Sequence, residues 1–140
     1  MELEKKVILE KINAKVPGTL METLEITYTD LGDDFLTASM PVSPKVHQPD
    51  GVLNGGATVA LAESVGGAAS HLFVDSSKYI VRGVEIAANH LKSVRSGTVH
   101  AKATIVHKGR TLQLWDIKVT DDENNLISVV KLTNMILPKS

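Results

Sequence analysis

The chain contains no cysteine among its 140 residues, so neither a disulfide scaffold nor a Cys-based zinc site is open to it. It also lacks an excess of either charge. Fifteen Lys and Arg against 16 Asp and Glu leave a net charge of −1, which argues against a nucleic-acid binder, a class that carries a clear basic surplus. There is no internal repeat, low-complexity tract or linker, and with 43% apolar residues disorder is excluded. What is left is one compact domain over residues 1–140, large enough to bury roughly two-thirds of the surface its unfolded chain exposes.

The chain begins Met1-Glu2-Leu3-Glu4-Lys5-Lys6, with acids and no apolar h-region, so neither a secretory signal nor a transit peptide is read there and a cytoplasmic location is expected. The most apolar stretch, Gly51 to Val74, carries Glu63, His71 and several glycines, which makes it a poor membrane span. It reads as a buried helix, and no membrane association is expected.

Leu3, Val7, Ile8 and Ile12 recur at helical spacing until Pro17-Gly18, predicting a short amphipathic N-terminal helix. Strands follow at Leu24 to Tyr28 and Phe35 to Val42, joined through Leu31-Gly32-Asp33-Asp34. Gly55 to Phe73 is apolar nearly all round, as expected of a helix enclosed by other structure. Four further strands are read at Tyr79 to Leu91, Thr98 to His107, Leu112 to Thr120 and Leu126 to Ile136. Helix, two strands, one buried helix and four strands make an α+β antiparallel architecture. A sheet wrapped on one helix has open edges that need cover, and at least a homodimer is expected.

Glu63 is the only formal charge between Asp50 and Asp75. A carboxylate in such apolar company is either paired or put to use, and desolvation would raise its pKa toward that of a base or nucleophile working near neutrality. Asn54-Gly55-Gly56 stands where the same helix begins. Asn is a strong N-cap, and the bare amides of the first helical turn suit a developing oxyanion in acyl transfer. Seven residues separate Gly56 from Glu63, about 10 Å along a helix, more than a Glu side chain spans. Both groups reach one carbonyl only if Glu63 meets the Gly55 amide of a second copy, as two helices packed antiparallel across a twofold axis would allow.

Between Glu85 and Asp116 there is no acid, while Lys92, Arg95, Lys102, Lys108 and Arg110 are cationic, a balance that suits a phosphorylated ligand such as coenzyme A. Other motifs fail. Ala62-Glu63-Ser64-Val65-Gly66 lacks the first glycine of a nucleophile elbow and lies within a helix. His90, His100 and His107 lack metal-ligand spacing, so no metal is expected.

His47-Gln48-Pro49-Asp50-Gly51-Val52-Leu53-Asn54-Gly55-Gly56 followed by Leu61-Ala62-Glu63-Ser64-Val65-Gly66 resembles the hotdog-fold acyl-CoA thioesterases of the 4-hydroxybenzoyl-CoA and phenylacetate-pathway type. The similarity is greatest to the 1,4-dihydroxy-2-naphthoyl-CoA thioesterases of menaquinone synthesis, and extends through Gly83-Val84-Glu85-Ile86, Ala88-Asn89-His90, His107-Lys108-Gly109-Arg110 and Trp115-Asp116-Ile117. The resemblance implies a hotdog fold, with a sheet wrapped around a long central helix, dimers sharing a continuous sheet, and a homotetramer built as a dimer of dimers. It implies hydrolysis of an acyl-CoA thioester, aromatic in its acyl group, with no cofactor beyond the coenzyme A of the substrate.

It further implies Glu63 as nucleophile or general base, the Gly55 amide as oxyanion donor, and Gln48 as a contact to the thioester or acyl group. Coenzyme A contacts would fall on Gly83, on His90, Leu91, Lys92 and Ser93, and on the loop His107, Lys108, Gly109, Arg110, Thr111 and Leu112. The chain departs from the pattern twice. Asn54 stands where most relatives carry His, keeping a hydrogen-bond donor but not an imidazolium. Gly67 stands where relatives place a Ser or Thr that orients water. Two alternatives stay open: a hotdog acyl dehydratase using His47, and a noncatalytic acyl-CoA-binding protein.

Overall fold

The computed structural model describes residues 2–140. Helix α1 (Glu2–Asn13) packs beside the first strand, β1 (Thr27–Leu31), and the Asn13 side chain pairs with Tyr28 as a neighbouring strand would. Its Nδ2 donates to the Tyr28 carbonyl and its Oδ1 accepts from the Tyr28 amide, both at 2.9 Å. This closes one edge of the sheet.

The first strand begins three residues later than the sequence pattern predicts. Residues 20–23 instead form a short helix, α2 (Leu20–Thr23), closed by Glu25 in the left-handed region at φ 57°. The Ile26 amide donates back to Met21 O at 2.8 Å and the Glu25 amide to Glu22 O at 3.0 Å, a Schellman closure built on a residue other than glycine. Leu24 and Glu25 are therefore used in ending a helix.

The remaining strands are β2 (Phe35–Pro41), β3 (Tyr79–His90), β4 (Thr98–Lys108), β5 (Leu112–Thr120) and β6 (Leu126–Pro138). They form one antiparallel six-stranded sheet in the order β1-β2-β4-β5-β6-β3. The long helix α3 (Gly55–Leu72) lies across this sheet, and Leu61, Ala62, Val65 and Ala69 are buried against inward-facing residues that include Leu36, Ala101, Ile117 and Leu132. Gly66 is the point of closest approach. A Cβ there would collide with Leu132 Cδ2 and stand 3.1 Å from Ile117 Cδ1. Two buried polar ties fix the register of helix on sheet. The Trp115 indole donates to Ser70 Oγ at 2.8 Å, and Asn134 Nδ2 donates to Ser70 Oγ at 2.9 Å and to Gly66 O at 3.2 Å.

The expected all-round enclosure of α3 is not provided by one chain. Its outward face, with Gly56, Glu63 and His71 exposed and Val59, Ala60, Ser64 and Gly67 half-buried, is left open by the sheet except along its edge strand β3, where the Glu63 carboxylate stands against Gly83. Apolar residues on both faces of a helix reveal that both can be covered, without saying by what. Strand β3 is the other open feature: it pairs only with β6, and Val84, 51% exposed, sits in a bulge between Gly83 and Glu85. No described helix is long and apolar enough to cross a membrane.

Gly66→Ala should destabilise the protein by about 1–3 kcal/mol, because the added methyl must push back Leu132 and Ile117 in a packed core. A lowered urea midpoint at unchanged slope checks this; an unchanged midpoint would show the contact to be slack.

Candidate active site

The loop entering α3 is pinned on both sides. The Asn54 amide donates to Val46 O and the Leu53 amide to Val94 O, each at 2.8 Å, while Gly51, at φ +80°, turns the chain so that Gln48 N reaches Val52 O at 2.8 Å. A left-handed turn of this kind favours glycine. Asn54 is the N-cap, its Oδ1 accepting from Gly56 N at 2.7 Å, and its carbonyl takes the amides of Ala57 and Thr58. The Gly55 N–H is left over. Among the described residues it is bonded to no acceptor, and Gly55 lines a cleft of about 300 Å³ with Gln48, Thr58, His90, Leu91, Lys92, Ser93 and Ser128. Gln48, the Gly55 amide and the run His90 to Ser93 are thus brought together.

Glu63 lies two turns further along α3, outside that cleft. The sequence expectation of a trapped carboxylate is corrected here: within one chain Glu63 is exposed, because the helix face that carries it is the uncovered one. It borders a hollow of about 330 Å³, walled mainly by Ile12, Val16, Met21, Tyr28, Gly67 and Ala68. Burial pushes the Tyr28 phenol up to about 12, so the hydroxyl in this wall stays protonated. Gly83, expected among the coenzyme contacts, lies under the acid. A Cβ at Gly83 would stand 2.6 Å from Glu63 Oε2, so the missing side chain makes room for the carboxylate.

The loop from His107 to Leu112 is the β4–β5 hairpin, closed by Gly109 N donating to Leu112 O at 2.8 Å and tied to β6 by Thr111 O, which accepts from Ile136 N at 2.8 Å. Lys108, Gly109 and Arg110 line a separate depression with Phe73 and Val74, beyond the C-terminal end of α3. The cations of the acid-free stretch do not make one patch. Lys92 is in the first cleft, Lys102 lies 4.5 Å over the Phe35 ring, and Lys108 lies 4.5 Å over the Phe73 ring. The histidines are equally dispersed: His90 bonds to Ser128, and His100 to Asp122, whose carboxyl it holds below the usual range. His47 Nε2 is 2.9 Å from Arg95 O and lines none of the cleft, which weakens the dehydratase reading.

Residues 50–128 match the family model described as Thioesterase superfamily. Over 134 residues the chain is 40% identical to the 1,4-dihydroxy-2-naphthoyl-CoA hydrolase of Escherichia coli, spanning 96% of this chain and 98% of that protein. It is also 40% identical to the proofreading thioesterase EntH of Cronobacter sakazakii, over 96% of this chain and 97% of that one. The chain belongs to the thioesterase superfamily. A crystal structure of a mutant thioesterase from Pseudomonas aeruginosa is similar at a TM-score of 0.92 and 44% identity, covering 94% of each chain. The hotdog fold is shared as well with the E. coli PaaI protein, at a TM-score of 0.79, 15% identity and 91% of each chain.

As a thioesterase of this fold, the protein is a thioester hydrolase. Two polar cleft residues escaped the sequence reading, Thr58 and Ser128, both buried. Only the inward position of a serine in an apolar strand hints at Ser128, and its partner becomes visible once the β3–β6 register sets it opposite His90.

Gly83→Ala should lower kcat by about tenfold through displacement of the Glu63 carboxylate, with little change in melting temperature because the clashing group is the end of a flexible side chain. Steady-state turnover beside thermal unfolding checks it. Asn54→Ala should cost about 1 kcal/mol of stability through the lost cap, measurable by chemical denaturation.

Proposed function

We propose that this thioesterase hydrolyses an aromatic acyl-CoA, of the class of 1,4-dihydroxy-2-naphthoyl-CoA, to the free acid and coenzyme A. The observation that carries the reading is the unclaimed N–H of Gly55 at the start of α3, a residue that lines a cleft with Gln48, while a single exposed carboxylate stands on the open face of the same helix. An amide held by a rigid helix end is aimed before reaction at the oxygen that gains charge, and this is where a hydrogen bond lowers an acyl-transfer barrier. The name and near full-length similarity of the E. coli hydrolase support the aromatic class, and the apolar hollow beside Glu63 supplies matching walls.

Glu63 is eight positions beyond Gly55, about 12 Å along α3. The reading therefore places the reaction between two copies of the chain, paired along the open β3 edge and the bare face of α3, with Glu63 of one opposite Gln48 and Gly55 of the other. The separate hairpin at the far end of α3 then comes near the first cleft of the neighbouring copy, gathering the coenzyme contacts His90 to Ser93 and His107 to Leu112. Covering α3 in this way gives Glu63 the enclosure that one chain does not. Two such pairs make the homotetramer. The carboxylate either attacks the carbonyl carbon, giving an anhydride that water opens, or takes a proton from water as it attacks; in both routes the C–S bond breaks and coenzyme A leaves. No metal or further cofactor takes part, and the enzyme acts in the cytoplasm.

Thiol release from a panel of aromatic and aliphatic acyl-CoAs tests this. Glu63→Gln keeps the shape and deletes the charge, and kcat should fall by at least about 10²-fold, with aromatic substrates preferred in the parent. Equal turnover by parent and variant would remove Glu63 from the reaction.

A further inference from the structure

We propose that His47 is a positioning residue of the reaction, an imidazole that holds the loop carrying Gln48 against the segment between β3 and β4. The inference rests on the reading of Gln48 as a contact to the thioester. Gln48 lines the first cleft, yet it sits outside any helix or strand, and a side chain carried on a loop is only as well placed as the loop beneath it.

The tip of that loop is closed on itself. The Gln48 amide donates to Val52 O at 2.8 Å and the Gln48 carbonyl accepts from Gly51 N at 3.0 Å, so both of its backbone groups are used within the tip. The tip therefore moves as a unit. What aims it is the pair of stems on which it stands, His47 and Leu53, which face each other as an isolated antiparallel bridge. Leu53 is tied by its backbone, its amide donating to Val94 O at 2.8 Å, and Val94 is itself buried in the core.

The other stem is tied by a side chain. His47 Nε2 is 2.9 Å from the carbonyl oxygen of Arg95, the residue next to the one that takes Leu53. A carbonyl oxygen only accepts, so the proton of the bond is on Nε2 and the ring is the donor. Arg95 also meets the far end of the tip, where its Nη1 stands 3.6 Å from the point a Gly51 Cβ would occupy. One residue thus holds the tip from two sides. With Nε2 spent on Arg95 and the ring lining none of the cleft, His47 acts through Gln48 and not on the substrate.

The experiment compares kcat on one aromatic acyl-CoA for the parent, for His47→Leu, which deletes the donor, and for His47→Gln, whose amide keeps an N–H at similar reach, each with and without Gln48→Ala. The ring is only half-buried, so these variants should fold, as thermal unfolding checks. His47→Leu should lower kcat about tenfold, since small misplacements of a group at the reacting centre cost that much, and His47→Gln should recover most of the loss. In the Gln48→Ala background the side chain being positioned is gone, and adding His47→Leu should lower kcat no further. Losses that multiply in the double variant would make His47 a support of the fold alone and overturn the proposal, as would equal kcat in parent and His47→Leu. A limb missing from the pH profile of kcat in His47→Gln would make the ring an acid or base and overturn it too. Gln48→Ala alone keeps the two readings apart: if it lowers kcat while His47→Leu does not, only the assignment to His47 falls, and if it leaves kcat unchanged the reading of Gln48 falls with it.

Discussion

The seating of α3 on the sheet at Gly66 is the contact on which the rest of the structure depends. With no side chain at that position, the helix comes down until Leu132 and Ile117 touch its backbone, and Ser70 one turn on takes hydrogen bonds from Trp115 and Asn134. A helix fixed this firmly on one face presents the other at a fixed height and rotation. Glu63 stands on that second face, and the Gly55 amide at the end of the same rigid element. Catalytic groups on a packed helix are placed more precisely than groups on loops, because moving them costs the packing of the whole element.

Much of this is legible in the sequence. The change from alternating to continuous apolar residues marks where strands give way to α3, and five of the six strands lie within two residues of where the sequence pattern and its Gly, Asp and Asn turns put them. Asn54 reads as a cap because a short polar side chain before paired glycines has few other uses, and it caps Gly56. The miss at Leu24 and Glu25 has a local cause. A non-glycine residue in the left-handed region closes a one-turn helix there, and nothing in the composition announces such a closure.

The larger correction concerns enclosure. An apolar helix pattern records that both faces can be covered but not whether the cover belongs to the same chain, so Glu63 looks trapped in the sequence and is exposed in the single fold. Relations that depend on register were equally hidden. His90 meets Ser128 across the β3–β6 ladder, Gly83 makes room for Glu63, and the cations of the acid-free stretch disperse to both ends of the helix and the outer sheet, although they are near in sequence.

The candidate groups of one chain fall at three stations along α3: the cleft at its start, the acid at its middle and the hairpin past its end. Their separation is the reason for reading the reactive centre as shared between two copies. The most direct measurement is turnover by a purified mixed dimer in which one copy carries Glu63→Gln and the other Gly55→Pro, which deletes the amide hydrogen at the first position of α3, each inactive when paired with itself. A shared centre leaves one of the two sites with both groups native, so the mixed dimer should recover about half of parental kcat. Turnover no higher than that of the two homodimers would contradict a centre built across the chains.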